Sequence, residues 1–252
     1  MICWFGRQPS ICGKTFTLSG DSHFASDCHL HLLQSIFRCF MNTQSSVVRA
    51  GAVCAAAGSL ILIGMMIVGG SATESLGILG KPGTPEQYAA AIRPEAGLLL
   101  RVMAADNIFL IAYTGAFIGA AALVWERARL FGAAGLGFAI LLALLDVIEN
   151  SVTVDMARAA TGGVPIPGWE IPVLGLLEQV KYASGALALV FFAVGLFVAL
   201  PRSHYAKVVA VLFLFFPVTN AVKIVGGNAL LLVLWMLVML AASASLLWRE
   251  GR

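Results

Sequence analysis

Long apolar stretches with few charged residues set the fold class of this chain. A helix of about 20 apolar residues is long enough to cross the hydrocarbon core of a bilayer. Six stretches of this kind lie at residues 48–70, 106–125, 130–150, 177–200, 208–225 and 228–248. The sequence therefore predicts an all-α fold, a polytopic membrane helix bundle with six transmembrane helices.

Composition favours the same class and argues against nucleic acid as a partner. Of 252 residues, 60% are hydrophobic and only 12% are charged, and the mean hydropathy is +0.91. Soluble domains are about 45–50% apolar and about 25% charged. The formal net charge is only +3, and no basic stripe with interleaved aromatic residues is present. Membrane lipids are the expected surroundings.

The first forty residues differ from the rest of the chain. They hold one alanine, four of the five cysteines and three of the four histidines, and no apolar run of spanning length. We expect residues 1–40 to be a disordered extension or a mis-annotated start, and residues 41–252 to form the membrane domain. Cys28, His29 and His31 match no standard zinc motif, so no metal site is expected.

The distribution of Lys and Arg predicts the orientation. Cytoplasmic loops carry an excess of these residues. With a cytoplasmic N-terminus, ten of the 16 Lys and Arg residues lie inside, and the turns at residues 126–129 and 201–207 are short and cationic. The loops at residues 71–105 and 151–176 hold most of the prolines and would face out. We therefore expect both termini in the cytoplasm.

Three local patterns predict the details of the bundle. Thr84, Pro85 and Gln87 form a capping box that starts a helix in the first outer loop. Residues 161–172, rich in proline and glycine, predict an extended segment on the bundle with Trp169 at the membrane interface. Pro217 is expected to interrupt the fifth span, which would then resemble a broken transporter helix.

Small residues recur at the spacing that allows close helix packing. Gly115 and Gly119 form a G-x-x-x-G pattern in the second predicted span. Small residues four apart let the backbones of two membrane helices approach each other. Such patterns are common in chains rich in alanine and glycine, so we expect them to serve packing within the bundle.

Polar residues gather in one layer of the predicted bundle, near its outer surface. This follows from the alternating direction of the spans, which brings the starts of spans two, four and six level with the ends of spans three and five. The layer contains Asp106, Asn107, Asp146, Glu149, Asn150, Lys181, Tyr182, Asn220, Lys223 and Asn228.

The third span orders part of this layer on one helical face. Asp146, Glu149, Asn150 and Thr153 follow one another at i, i+3, i+4 and i+7. An unpaired charge in hydrocarbon costs about 2.5–3.5 kcal/mol on insertion scales. These carboxylates should therefore face inward and pair, with Lys181 as the best partner. Candidates for ligand binding or proton handling are Asp106, Tyr113, Asp146, Glu149, Asn150 and Lys181.

No motif points to a particular enzyme chemistry. The chain contains no H-E-x-x-H, no G-x-S-x-G and no P-loop. His204 is the one histidine beyond the first forty residues, so a histidine-based metal or haem site is not expected, and no cofactor is indicated. No catalytic residue can be assigned from these patterns, and they favour a protein that is not an enzyme.

The segment from Asp106 to Tyr113, with its Asp-Asn start, occurs together with Leu145-Asp-Val-Ile-Glu-Asn150 and with Lys181. This combination resembles a loose group of bacterial multi-pass membrane proteins with an Asp-x-x-Glu-Asn helix motif, over about residues 48–248. The resemblance implies a multi-pass bundle and brings no activity with it. A preference for Arg over Lys and abundant Ala and Gly fit a high-GC bacterium, and we expect the protein in a bacterial cytoplasmic (inner) membrane.

Several functions are compatible with these patterns. The leading hypothesis is binding or transport of a small polar molecule, an ion or a proton at an outward-facing pocket. One alternative is a membrane-embedded enzyme on a lipid-type substrate, with Asp146 or Glu149 as general acid or base. Another is a non-catalytic partner in a homo-oligomer or a membrane complex, in which an Asp–Lys pair only locks two helices.

Overall fold

The computed structural model describes the backbone of residues 23–70, 73–226 and 229–252, and the side chains of residues 43–70, 75–223 and 230–252. The chain divides into two units, Met1–Met41 and Asn42–Arg252. In the first unit, residues 23–41 are helical. The expectations for the side chains of residues 1–40 and for Asn228 fall outside the described residues and stay predictions.

All regular structure in the described ranges is helical. In chain order the elements are α1 (His23–Gly69), α2 (Thr73–Ile78), α3 (Pro85–Ile92), a 3-10 turn (Arg93–Glu95), α4 (Ala96–Gly162), α5 (Glu170–Ala199), α6 (His204–Gly226) and α7 (Ala229–Glu250). Five helical stretches are long and apolar enough to cross a membrane. They are Thr43–Gly69, Pro85–Gly162, Glu170–Ala199, His204–Lys223 and Leu230–Glu250. The predicted all-α membrane class is confirmed for this part of the chain.

The longest helix, α4, folds back on itself at Ala128. The backbone of Ala128 is non-helical, with φ −140° and ψ 43°. The side chains of Asp106 and Asn150 are joined by a 2.8 Å hydrogen bond, whereas a straight helix would separate them by roughly 66 Å at 1.5 Å per residue. The helix is therefore a hairpin with a first arm (residues 96–127) and a second arm (residues 129–162).

Helix α1 packs against the first arm through facing glycines. A Cβ atom on Gly51 would lie 2.6 Å from the Cα of Gly119, and one on Gly115 would lie 2.5 Å from Sγ of Cys54. Real Cβ atoms do not approach other atoms this closely, so the contact requires glycine. The G-x-x-x-G pattern thus serves packing within the bundle, as predicted.

The remaining neighbours along the chain also pack in antiparallel pairs. Within each pair, successive contacts move forward in one helix and backward in the next, as the ion pairs Asp146–Lys181 and Glu178–Lys223 also show. The contacts are Gly135 with Phe192 (second arm to α5), Gly185 with Phe216 (α5 to α6), and Trp235 and Tyr205 with the carbonyls of Leu212 and Ala242 (α6 to α7).

Helix α7 closes the bundle by returning to α1. Oγ of Ser45 and Nε of Arg49 donate to the carbonyl of Gly251, just after α7, at 2.5 and 2.6 Å. Higher up, a Cβ on Gly58 would lie 3.7 Å from Leu240. The second unit is therefore a ring of six antiparallel segments: α1, the two arms of α4, α5, α6 and α7.

The outer connections contain more helix than the hydropathy pattern predicts. The capping box at Thr84 and Gln87 is present. The second arm continues to Gly162 and α5 starts at Glu170, about three and two turns beyond the predicted ends of their spans. The extended segment predicted at residues 161–172 is thus wrong in extent, since only residues 163–169 are outside helices. Gly163, with φ +67°, ends the arm.

Helix α6 runs without a break through Pro217. The prediction that this proline interrupts the fifth span is therefore wrong, and so is its likeness to a broken transporter helix. A proline inside a membrane helix is tolerated where neighbouring groups satisfy nearby carbonyls. Pro217 cannot donate to the carbonyl of Phe213, and Nε1 of Trp235 on α7 donates to the adjacent carbonyl, that of Leu212, at 3.0 Å.

Candidate functional site

Lys181 on α5 lies between two carboxylates of the second arm. Its Nζ is 2.9 Å from Oδ1 of Asp146 and 2.5 Å from Oε2 of Glu149. The side chains of Lys181 and Asp146 are only 15% and 9% exposed. The predicted pairing is confirmed, and one lysine is the ion-pair partner of both carboxylates, so neither charge faces hydrocarbon alone.

Asp146 also connects the two arms of α4. The hydroxyl of Tyr113 on the first arm donates to Oδ2 of Asp146 at 2.6 Å, and this hydrogen bond is buried. Both carboxylate oxygens of Asp146 are therefore engaged, one by Lys181 and the other by Tyr113. Asp146 joins three helical segments at one point.

A second group of contacts places Asp106 beside this centre. Nδ2 of Asn150 donates to Oδ2 of Asp106 at 2.8 Å and to Oδ1 of Asn107 at 3.2 Å. All six side chains predicted as candidates therefore meet in one cluster. Among the described residues, no lysine or arginine forms an ion pair with Asp106, so its carboxylate has an amide partner but no cationic one.

The periodicity of the second arm explains the inward direction of these groups. Asp146, Asn150 and Thr153 are 7%, 5% and 1% exposed, whereas Val147 and Ile148 between them are 46% and 48% exposed. On this helix the polar residues face the interior and the apolar residues face outward, which is the reverse of the pattern on a helix of a soluble protein. This arrangement is the one expected where the surroundings are hydrocarbon.

The cluster contains a second ion pair that the sequence reasoning missed. Lys223 at the end of α6 pairs with Glu178 on α5, and its Nζ lies 4.1 Å from the ring centroid of Tyr182. The predicted polar layer does not contain Glu178, although this residue precedes Lys181 by three residues and Tyr182 by four. That spacing alone indicates a shared helical face.

Asn220, which was included in the predicted layer, does not join these contacts. Its side-chain oxygen is buried and accepts no hydrogen bond from any described residue. The layer predicted from depth is thus correct for the residues on α4 and α5, and only partly correct for those on α6.

The cluster forms the polar end of a cavity of about 490 Å³ inside the ring. This volume lies in the range of small-molecule sites, which runs from about 300 to 1,000 Å³. Away from the cluster, the walls are apolar and reach Leu123, Leu196 and Leu246 near the other end of the bundle.

A short cap covers the polar end of the cavity. Leu76 on α2, together with Leu79 and Gly80, lines this end. Gly80 has φ +72°, and a Cβ there would collide with the carboxylate of Glu178. A side chain at position 80 is therefore disfavoured both by the backbone conformation and by the neighbouring carboxylate.

The chemistry of this site is that of carboxylates, ammonium groups and aromatic rings. Within the described ranges, no three His, Cys, Asp or Glu side chains are placed to hold a metal ion. The cluster brings together four carboxylates (Asp106, Asp146, Glu149 and Glu178) and two lysines (Lys181 and Lys223). Such a group can hold a proton or a cation.

Comparison of the chain with protein-family models, curated proteins and solved structures found no significant match.

Proposed function

We propose that this protein binds a small cationic ligand or a proton at an outward-facing pocket inside a six-span membrane bundle. The observation that carries the proposal is the position of Asp106. This carboxylate lines the 490 Å³ cavity, accepts from an amide and has no cationic partner among the described side chains. The other three carboxylates of the cluster are each paired with a lysine.

The charge balance of the cluster supports a cation as the missing partner. Four carboxylates and two lysines at their ordinary charges leave two negative charges in excess. An uncompensated charge in a buried cluster destabilises a fold by about 3–5 kcal/mol. A bound proton or an ammonium group beside Asp106 removes part of that excess, and the rings of Tyr113 and Phe109 line the same cavity and can add cation–π attraction.

Two features support six crossings with both ends of Asn42–Arg252 in the cytoplasm. The two arms of α4 provide two crossings from a single helical stretch, so the five apolar stretches supply six segments. The end of the ring where Ser45 meets Gly251 also carries most of the bundle's basic turns, as expected for a cytoplasmic side. The basic residues at this end are Arg127, Arg129, Arg202, Lys207, Arg249 and Arg252.

Labelling of single cysteines tests this orientation. The five native cysteines are replaced, and Val164→Cys, Arg129→Cys and Arg202→Cys are introduced one at a time, at positions that are exposed in the structure. A membrane-impermeant maleimide should label position 164 in intact cells, and positions 129 and 202 only after permeabilisation. The reverse pattern would overturn the orientation, and labelling of positions 129 and 164 from the same side would overturn the two-crossing role of α4.

Thermal unfolding of the purified full chain in detergent tests the binding proposal. Ethylammonium chloride, compared with sodium chloride at equal ionic strength, should raise the Tm of the natural protein. A ligand at 100 times its Kd stabilises by about 2.7 kcal/mol. Asp106→Asn should abolish the shift, whereas Asp155→Asn, at an exposed pair with Arg158, should keep it.

The proton form of the proposal has its own readout in the same assay. If the ligand is a proton, Asp106→Asn should change how Tm depends on pH, and Asp155→Asn should change it much less. No ethylammonium shift, together with the same pH dependence in all three proteins, refutes the proposed function.

The geometry favours binding over the two alternatives. An assembly partner predicts a tight Asp146–Lys181 pair without a neighbouring cavity, and here a cavity lies beside the pair. An enzyme needs a carboxylate that can reach the substrate, yet Asp146 and Glu149 are both held by Lys181. Asp106 is the carboxylate of the cluster best placed to receive a ligand.

A further inference from the structure

The first arm carries an aromatic ladder that starts next to Asp106. Phe109, Tyr113 and Phe117 follow it at i+3, i+7 and i+11, on one face of the helix. The ring centroids of Phe109 and Tyr113 are 5.4 Å apart, and those of Tyr113 and Phe117 are 5.9 Å apart. Phe117 then stacks on Phe192 of α5 at 5.6 Å. The cavity wall thus passes from charge to aromatic to aliphatic groups along a single line.

The cavity is elongated along the bundle. On the first arm its lining runs from Val102 to Leu123, and the part from Asp106 to Leu123 corresponds to roughly 25 Å of helix at 1.5 Å per residue. On α7 it runs from Val233 to Leu247, or roughly 21 Å. A small cation at Asp106 would occupy one end of this space and leave most of the length unfilled.

The lower part of the cavity offers a ligand a single polar side chain. Beyond Tyr113 and Asp146, the polar side chain in the lining is Ser243. Its hydroxyl donates to the carbonyl of Met239 at 2.7 Å, within its own helix. A polar or hydrated occupant would therefore lose hydrogen bonds there without replacement, whereas a hydrocarbon chain would not.

From these observations we infer that the ligand is a single-chain amphiphilic amine. Its ammonium group sits at Asp106 beside the aromatic ladder, and its hydrocarbon chain lies along the cavity towards Leu123 and Leu247. This inference rests on the proposed function and names the class of its ligand. A fatty acid would place a further negative charge among four carboxylates, which disfavours it by charge repulsion.

Native mass spectrometry of the delipidated full chain in detergent tests the inference. The probes are hexadecylamine, hexadecanoate and ethylamine, each added at the same mole fraction. Hexadecylamine should bind with a stoichiometry of one and at least tenfold more strongly than hexadecanoate. Asp106→Asn should remove that preference, and ethylamine should bind more weakly than hexadecylamine.

Variants that fill the cavity separate the chain from the head group. Ala116 lines the cavity and is 6% exposed, so Ala116→Leu should weaken hexadecylamine binding at least tenfold and leave ethylamine binding unchanged. Ala133→Leu, on the exposed face of the second arm, is the matched control and should alter neither. Ser243→Leu, at the far end of the cavity, replaces Ala116→Leu if that variant does not fold.

The outcomes distinguish this inference from the proposed function. Binding of ethylamine that depends on Asp106, with no gain from the longer chain and no effect of either filling variant, overturns the amphiphile and leaves the cation site standing. Equal binding of hexadecanoate and hexadecylamine overturns the cationic head group. Absence of binding by all three probes overturns both.

Discussion

Replacement of Lys181 by methionine removes the charge shared by Asp146 and Glu149 and keeps a long unbranched side chain in place. Removal of one partner from a buried ion pair costs about 3–5 kcal/mol, because the other charge stays buried without compensation. Lys181 is 15% exposed and lies within 2.9 Å of both carboxylates, so the whole of this range applies. The expected loss is about 3–5 kcal/mol for Lys181→Met.

The assay is thermal unfolding of the purified protein in detergent. For a protein of about this size, 1 kcal/mol corresponds to roughly 2–4 °C in Tm, so Lys181→Met should lower Tm by about 6–20 °C. The matched control is Arg158→Met, which removes a cation from a 3.9 Å pair with Asp155 whose side chains are 74% and 67% exposed. Such pairs contribute at most about 1 kcal/mol, or a few degrees.

A triple variant tests the reason for the loss. Lys181→Met combined with Asp146→Asn and Glu149→Gln removes all three charges, so the penalty of the orphaned carboxylates disappears. Tm should recover by more than half of the loss seen in Lys181→Met. A Tm for Lys181→Met within the range of Arg158→Met, or a triple variant less stable than the single one, would refute this reasoning.

Three further test substitutions, two of them with a matched control, have direct expectations, each read as Tm or as the yield of folded monomer. Gly51→Val should prevent close packing of α1 on the first arm and sharply lower the yield, whereas Gly64→Val, with open space around it, should be tolerated. Gly80→Ala and Gly163→Ala both place a side chain at positive φ, at about 1–2 kcal/mol. Gly80→Ala should lose more, because of the collision with Glu178. Thr84→Ala should destabilise by about 1 kcal/mol through loss of the cap, and an unchanged Tm would show that α3 does not limit stability.

Much of the candidate cluster could be predicted because it depends on helical spacing and on the need of a buried charge for a partner. Asp146, Glu149 and Asn150 share a face by helical spacing alone, and burial of charge in hydrocarbon requires a partner, for which Lys181 at the same depth was the nearest choice. The bond between Asp106 and Asn150 was not predicted, since it depends on how the two arms of α4 are rotated against each other. The pair of Glu178 with Lys223 was missed because the depth argument omitted Glu178.

The cavity and the helix ends lay beyond the reach of sequence patterns for different reasons. A cavity depends on how the side chains of six segments fill the space between them, which no single stretch encodes. Hydropathy marks where a helix crosses lipid but not where it stops, so hydropathy alone places the helical turns from residue 151 to Gly162 in a loop. The outcome at Pro217 depends on the surroundings of α6, which its own sequence does not contain.

The seam between α1 and α7 has a consequence for the order in which the protein is assembled. Every other contact between neighbours in the ring joins segments that are consecutive in the chain. Each of these pairs can therefore pack as a helical hairpin soon after it is synthesised. The partners Ser45 and Gly251 are separated by the whole bundle, and their contact must wait for the last helix to leave the ribosome. Until then the interior stays open along one side, and surrounding lipid can enter it. Helix α7 therefore completes the ring, and any lipid that is inside at that moment stays enclosed.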